Sequence, residues 1–328
     1  MRFALAEGFR LVGRNYGLVF VALGANLALA ALLALPLAGS LERDLEKSGA
    51  ALEMLYGFDT AWWSHWHDTQ QGPNQNFGPE LLGVGFAFKN VDLLLKGELP
   101  LGLFRARSAP DQPATGQLDG VTLGVAALAL LLQTFLLGGI LGVLRGERAG
   151  WTARALLHGS GFYFGRLLRV ALLALALDYV LFRLYGPFAR WADAQAREAV
   201  SEASATAWAL SRHALLLFAL LLVNMLSSLA KVIVVLEERG SALLAWLSAL
   251  GFCAANLWKT AGHYFSLVAL SVLLLAAWAA LDAQLTITGY KSQLVALLLA
   301  EALLAGRIGL RLSLFAGQIA LYRRQAVP

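Results

Sequence analysis

The chain has 328 residues, of which 59% are apolar and only 14% charged, with a formal net charge of +5. An average soluble domain carries roughly 25% charged residues, so this composition excludes a water-facing globule, and several apolar runs of about 20 residues make lipid the natural solvent. The basic residues are dispersed between those runs, which excludes a nucleic-acid-binding block, and the single Cys253 excludes an intramolecular disulfide or a cysteine-built metal cluster.

Gly8-Phe9 precedes the first apolar run, Gly17–Ala38. That run is longer than the roughly 7–15 residues of a signal-peptide core, and Leu37-Ala38-Gly39 is not followed by a strong cleavage site. Residues 1–38 are therefore expected to form a cytoplasmic elbow and an uncleaved first span. Residues 39–120 follow as an extracytoplasmic segment large enough to be a small domain. It begins with a charge-alternating helical piece, Leu41–Leu55, and continues into Trp62, Trp63 and Trp66, which suit a bilayer interface. His65, His67 and Asp68 carry metal-ligating groups, but nothing supplies further ligands at a recognisable spacing, so no metal is expected. Glu80–Lys96, interrupted by Lys89 and Asp92, reads as a helix on the outer leaflet, with loops around Pro73, Pro100, Pro110 and Pro113.

Residues 121–328 are expected to hold five further spans, at Val121–Leu144, Tyr163–Tyr185, His213–Leu236, Gly262–Asp282 and Ser292–Ala316. At ~1.5 Å per residue each crosses ~30 Å of hydrocarbon. Only a helix satisfies every backbone group within one span, so the expected fold class is an all-α, polytopic transmembrane bundle of about six spans. Pro187–Arg212 is expected to extend span three or four as a helical hairpin above the membrane. Ser241–Trp258 is uncharged but contains Ser248, Gly251 and Asn256, and reads as an interfacial helix.

A repeat supports that choice. Shifted by 90 positions, Glu147, Gly150, Ala155, Leu157, Gly161, Phe162 and Leu167 meet identical residues, and Gly8-Phe9 echoes Gly161-Phe162 and Gly251-Phe252. The implied unit, an elbow helix followed by a helical hairpin, occurs three times. Arg145, Arg148, Arg154, Arg166 and Arg169, with Arg2, Arg10, Arg14, Arg323 and Arg324, fall on one side, which predicts a bacterial cytoplasmic membrane protein with both termini inside.

Ionisable and amide groups at membrane depth are the place to look for function, because each is costly unless paired or hydrated. The candidates are Asp178, Glu301, Asn26, Asn224 and Gln133, accompanied by Thr134 and Ser271. Asp178 and Glu301 both fall ~12 Å from the outer ends of their spans and could share a layer. The competing expectation pairs Asp178 with Arg183 and Glu301 with Arg307, leaves the amides as interhelical ties, and lets Arg307 and Arg311 snorkel inward. No phosphate-cradling loop, H-E-x-x-H or G-x-S-x-G motif occurs. Gly159-Ser160-Gly161 beside His158 lacks a paired base at depth, and His213 and His263 sit at opposite edges, which disfavours haem. No cofactor is expected.

Phe58-Asp59 with Trp62-Trp63, Leu81-Leu82-Gly83-Val84-Gly85-Phe86, Gln133-Thr134-Phe135-Leu136-Leu137-Gly138-Gly139-Ile140, and Val235-Leu236-Glu237-Glu238-Arg239-Gly240-Ser241-Ala242 together resemble a family of bacterial six-span membrane proteins. The elbow is also distantly similar to the membrane domain of some glycerophosphodiester phosphodiesterases. The resemblance implies the topology above and supplies neither an activity nor a functional residue. The expected function is a non-enzymatic accessory or scaffold subunit, partnered by the bilayer and another membrane protein. The alternative is a transporter or lipid-handling protein with a polar site between its spans, and an enzyme would require a site built from His65, His67 and Asp68.

Overall fold

The structure is a computed structural model that describes residues 2–53, 59–70, 74, 120–146, 150–285 and 289–326. The outer-leaflet helix expected at Glu80–Lys96, the loops at Pro73, Pro100, Pro110 and Pro113, the motif Leu81–Phe86, and Phe58, Glu147 and Arg148 lie outside the described residues. Among the described residues the protein is all-α. In chain order the helices are α1 (Arg2–Arg14), α2 (Gly17–Ser48), α3 (Ala50–Glu53), α4 (Thr60–Thr69), α5 (Gly120–Arg145), α6 (Ala153–Glu198), α7 (Glu202–Leu236), α8 (Ala242–Ala255), α9 (Leu257–Asp282) and α10 (Tyr290–Ala326).

Five of these, α2, α5, α7, α9 and α10, are long and apolar enough to cross a membrane. The remaining expected span, Tyr163–Tyr185, lies inside α6, a 46-residue helix that also carries Arg154, Arg166, Arg169, Asp178, Arg183, Arg190 and Arg197. It packs along both α5 and α7, through the most extensive helix contacts among the described residues.

Small residues bring α5 and α6 together. A Cβ at Gly139 would overlap the Leu156 carbonyl oxygen, and one at Gly159 would stand 3.2 Å from the Gly139 Cα. Gly138 and Ser160 complete the crossing, so Gly159-Ser160 serves as a packing surface of the kind lipid-embedded helices use. A second close crossing sets α1 on α10, where Gly8 lies against Ser313 and Gly317 lies against His263 and Ala4. The main core gathers between these crossings, with Leu141, Leu144, Leu167, Val170, Leu229, Ile233 and Ile319 almost wholly buried.

The three elbows differ for a local reason. α1 breaks from α2 at Asn15-Tyr16 and α8 breaks from α9 at Asn256. In each case the asparagine amide donates to the carbonyl four residues back, Leu11 at 3.0 Å and Phe252 at 3.5 Å. An asparagine that competes for backbone partners in this way favours a helix boundary. The repeat places Arg166 where α9's elbow has Asn256, and there the helix continues unbroken.

Outside the bundle, α2 runs as one helix through Pro36 to Ser48 and ends at Gly49, whose φ of 70° suits a left-handed cap. The charge-alternating piece expected after the first span is thus largely continuous with it. α4 starts at Asp59, which caps the amides of Ala61 and Trp62, and Trp66 donates its indole N–H to Asp44 at 2.9 Å. Trp63 and Trp66 are buried rather than spread along an interface.

Candidate functional site

A cavity of about 510 Å³ lies among α2, α5, α6, α7, α9 and α10. Three of the five residues singled out from sequence line it: Asn26 on α2, Gln133 on α5 and Asn224 on α7. Gln133 donates to the Asn26 side-chain oxygen at 3.4 Å, and Asn26 donates to the Ala22 carbonyl at 2.7 Å. Tyr264 of α9 donates to Asn224 at 3.1 Å. At one end Gln318 of α10 donates to Ser228 of α7 at 2.8 Å, and Ser228 donates to the Met225 carbonyl.

Asp178 and Glu301 do not line the cavity. Asp178 stands on α6, half-buried, close enough to Lys231 to interact electrostatically but not within ion-pair distance. Glu301 is half-buried on α10 with its Oε2 buried and unpartnered. Among the described residues neither forms the ion pair proposed with Arg183 or Arg307; Arg183 instead lies over the Tyr179 ring.

Sequence reading missed the cavity's charge. Its lining includes Lys231, Arg307 and Arg311 and, among the described residues, no Asp or Glu. Among the described residues no carboxylate comes within ion-pair distance of any of the three. Arg307 and Arg311 are exposed to this space rather than folded against protein acids. The signal was helical spacing: Asn224, Ser228 and Lys231 form an i, i+4, i+7 stripe on α7, and Arg307 and Arg311 are i, i+4 on α10. Counted at ~1.5 Å per residue, Lys231 lies ~8 Å from the end of α7 at Leu236, while Arg311 and Arg307 lie ~18 and ~24 Å from Arg323. The cations are stepped in depth rather than collected at one rim.

Cations inside a bilayer cost several kcal/mol each unless they are neutralised or hydrated. Lysine and arginine with amide and phenol groups suit an anion, and guanidinium groups match phosphate or carboxylate oxygens two at a time. Among the described residues no carboxylate, histidine or cysteine lines the cavity.

A different polar cluster ties the helix ends. Arg145 donates to the Tyr163 hydroxyl at 2.7 Å, the Val235 carbonyl at 2.9 Å and the Glu238 carboxylate at 2.7 Å. Arg166 donates to the Glu238 carbonyl at 2.8 Å, Arg323 donates to the Arg145 carbonyl, and Tyr322 donates to Glu237. The bond to Glu238 raises the Arg145 pKa. Burial first, then the Glu237 contact, pushes the Tyr322 phenol up to about 12. Glu238 has a φ of 53°, a left-handed conformation costly for a side-chain-bearing residue and held here by these contacts. Nearby, Arg10, Arg14, Arg323 and Arg324 line a basic groove between α1 and α10.

His65 and His67 are on α4, and no group of three or more metal-ligating side chains occurs among the described residues. Comparison with family models, curated proteins and solved structures found no match.

Proposed function

We propose that this protein crosses a bacterial cytoplasmic membrane six times, with both termini in the cytoplasm, and binds an anionic group between its spans as a transporter or lipid-handling protein. The observation that carries the reading is a cavity lined by Lys231, Arg307 and Arg311 with no acidic lining residue among the described ones. A scaffold subunit has no need of three cations that make no ion pair among the described residues, and an anionic guest offsets their cost. Among the described residues the lining offers donors to hold such a guest and no carboxylate, histidine or cysteine to act as base or nucleophile on it, which supports binding over catalysis.

The sixth crossing is supported by α6, which lies against α5 and α7 and is joined to α7 by the three residues 199–201. The orientation is supported by the basic residues that meet at one end of the bundle, Arg145, Arg166 and Arg323 in the hydrogen-bonded cluster and Arg10, Arg14 and Arg324 in the groove beside it.

The test is thermal unfolding of the purified protein with and without inorganic phosphate and a short alkyl phosphate. A ligand at 100 times its Kd stabilises by about 2.7 kcal/mol, so at least one of these anions should raise the Tm of the wild type and neither that of Arg307→Gln/Arg311→Gln. If no anion shifts the wild type, the cavity is not an anion site and the accessory-subunit reading takes its place.

A further inference from the structure

Resting on that reading, we infer that the anion is the phosphate of a membrane lipid, admitted sideways through the seam between α7 and α9 while its chains stay in the bilayer. The support of α9 and the rest of the cavity lining lead there.

α9 packs against α10 and the elbow helices α1 and α8, and makes no extensive contact with α2, α5, α6 or α7. Yet α9 and α7 both line the cavity. Between them the wall is therefore a seam, bridged by the Tyr264 hydroxyl on the Asn224 side chain at 3.1 Å. Tyr264 and Leu267 are buried beside it, so the closure is one neutral hydrogen bond and the contacts of a few side chains, with no close helix-on-helix packing behind them. A water-soluble anion would have no use for an opening on the side of a bundle that faces lipid.

The lining is also two-natured. Alongside the cations and amides stand Leu29, Leu130, Leu137, Leu267, Leu304 and Ile308. The outward faces of α9 and α10 remain apolar and exposed, as at Val272, Leu273, Leu294, Leu297 and Leu298. A headgroup phosphate meets Lys231, Arg307 and Arg311, and hydrocarbon leaving through the seam meets leucine and then lipid. The steps in depth between Lys231 and Arg307 give that phosphate successive partners along the cleft, with no burial of the chains required.

The experiment uses the full chain in phosphatidylcholine nanodiscs and two probes with the same phosphate chemistry, dioleoyl phosphatidic acid in the bilayer and glycerol 3-phosphate in the buffer. Tight binding of phosphatidic acid is expected, weakened at least about tenfold by Arg307→Gln/Arg311→Gln and by Lys231→Gln, with glycerol 3-phosphate binding far more weakly. Tyr264→Phe should speed phosphatidic acid loading several-fold. In a Cys253→Ser background, cysteines introduced at positions 224 and 264 and joined by a short bismaleimide should block loading. Glycerol 3-phosphate binding as tightly as the lipid would leave the anion site standing and overturn the lipid. Phosphatidic acid that binds the cation variants undiminished, or loads through the joined seam, overturns the inference as well. Failure of both probes overturns it together with the anion reading.

Discussion

At the scale of single residues, the molecule uses its cations in two opposite ways. Arg145 spends its donors on a phenol, a carbonyl and a carboxylate, whereas Lys231, Arg307 and Arg311 have no such partners among the described residues and face open space. Replacement should separate the two. Arg145→Leu removes ties between α5, α6 and the α7–α8 turn; because the side chain is 34% exposed, the loss should be about 1–2 kcal/mol, read as a lower Tm without added anion. Arg311→Leu removes an unneutralised charge and should leave the anion-free protein as stable or slightly more so, while weakening any anion-induced shift. Tyr322 gives a pH signature. Its folded pKa of about 12 lies above the ordinary phenol value of ~10, so its contribution is intact below pH ~10 and is lost as pH climbs toward 12. Tyr322→Phe should flatten stability over that window, as followed by unfolding at stepped pH.

At the scale of elements, the helices were largely legible because lipid imposes one rule on every backbone group. The apolar runs that end at Leu144, Leu236 and Asp282 end at or within a residue of the structural helices. Helix extent beyond the membrane was less legible, since hydropathy reports the solvent of a segment and not its hydrogen bonding; α2 passes Ala38 and continues to Ser48. The elbows were found by repetition, but the break after α1 and α8 depends on Asn15 and Asn256, and the composition of the segment around Arg166 gives no sign that it runs straight through. Close packing supplies a paired prediction at this scale. Gly139→Leu on α5 collides with Leu156 and Ser160 and should cost about 1–3 kcal/mol or prevent folding, whereas Gly161→Leu on the partner helix α6 points into open space and should stay within ~0.5 kcal/mol. The crossing of α6 makes a topological prediction too. Reporters that fluoresce only in the cytoplasm should light up at both termini, and a dark reporter at one end would mean an odd number of crossings.

At the scale of the whole molecule, the fold is a tight bundle, α5 to α8 with α1 and the end of α10, against which α9 and the first half of α10 stand apart. The cavity is the space between these parts. Its amides could be picked from sequence because a polar residue inside an apolar run stands out, which is how Asn26, Gln133 and Asn224 were chosen. The same criterion chose Asp178 and Glu301, which are not among the residues that line the cavity, since depth alone does not fix which face of a helix looks inward. It overlooked Lys231 and set Arg307 and Arg311 aside as snorkelling residues, because cations near helix ends have an innocent explanation until their neighbours are known. Only the packing of six helices shows that, among the described residues, no carboxylate comes within ion-pair distance of them. Native mass spectrometry of the protein extracted gently from its own membrane measures the consequence directly. Wild-type protein should retain an anionic, phosphate-bearing lipid that the Arg307→Gln/Arg311→Gln protein loses. A wild-type chain that carries no anionic species, or carries a stoichiometric protein partner in its place, would contradict the assignment of this cavity as a ligand site.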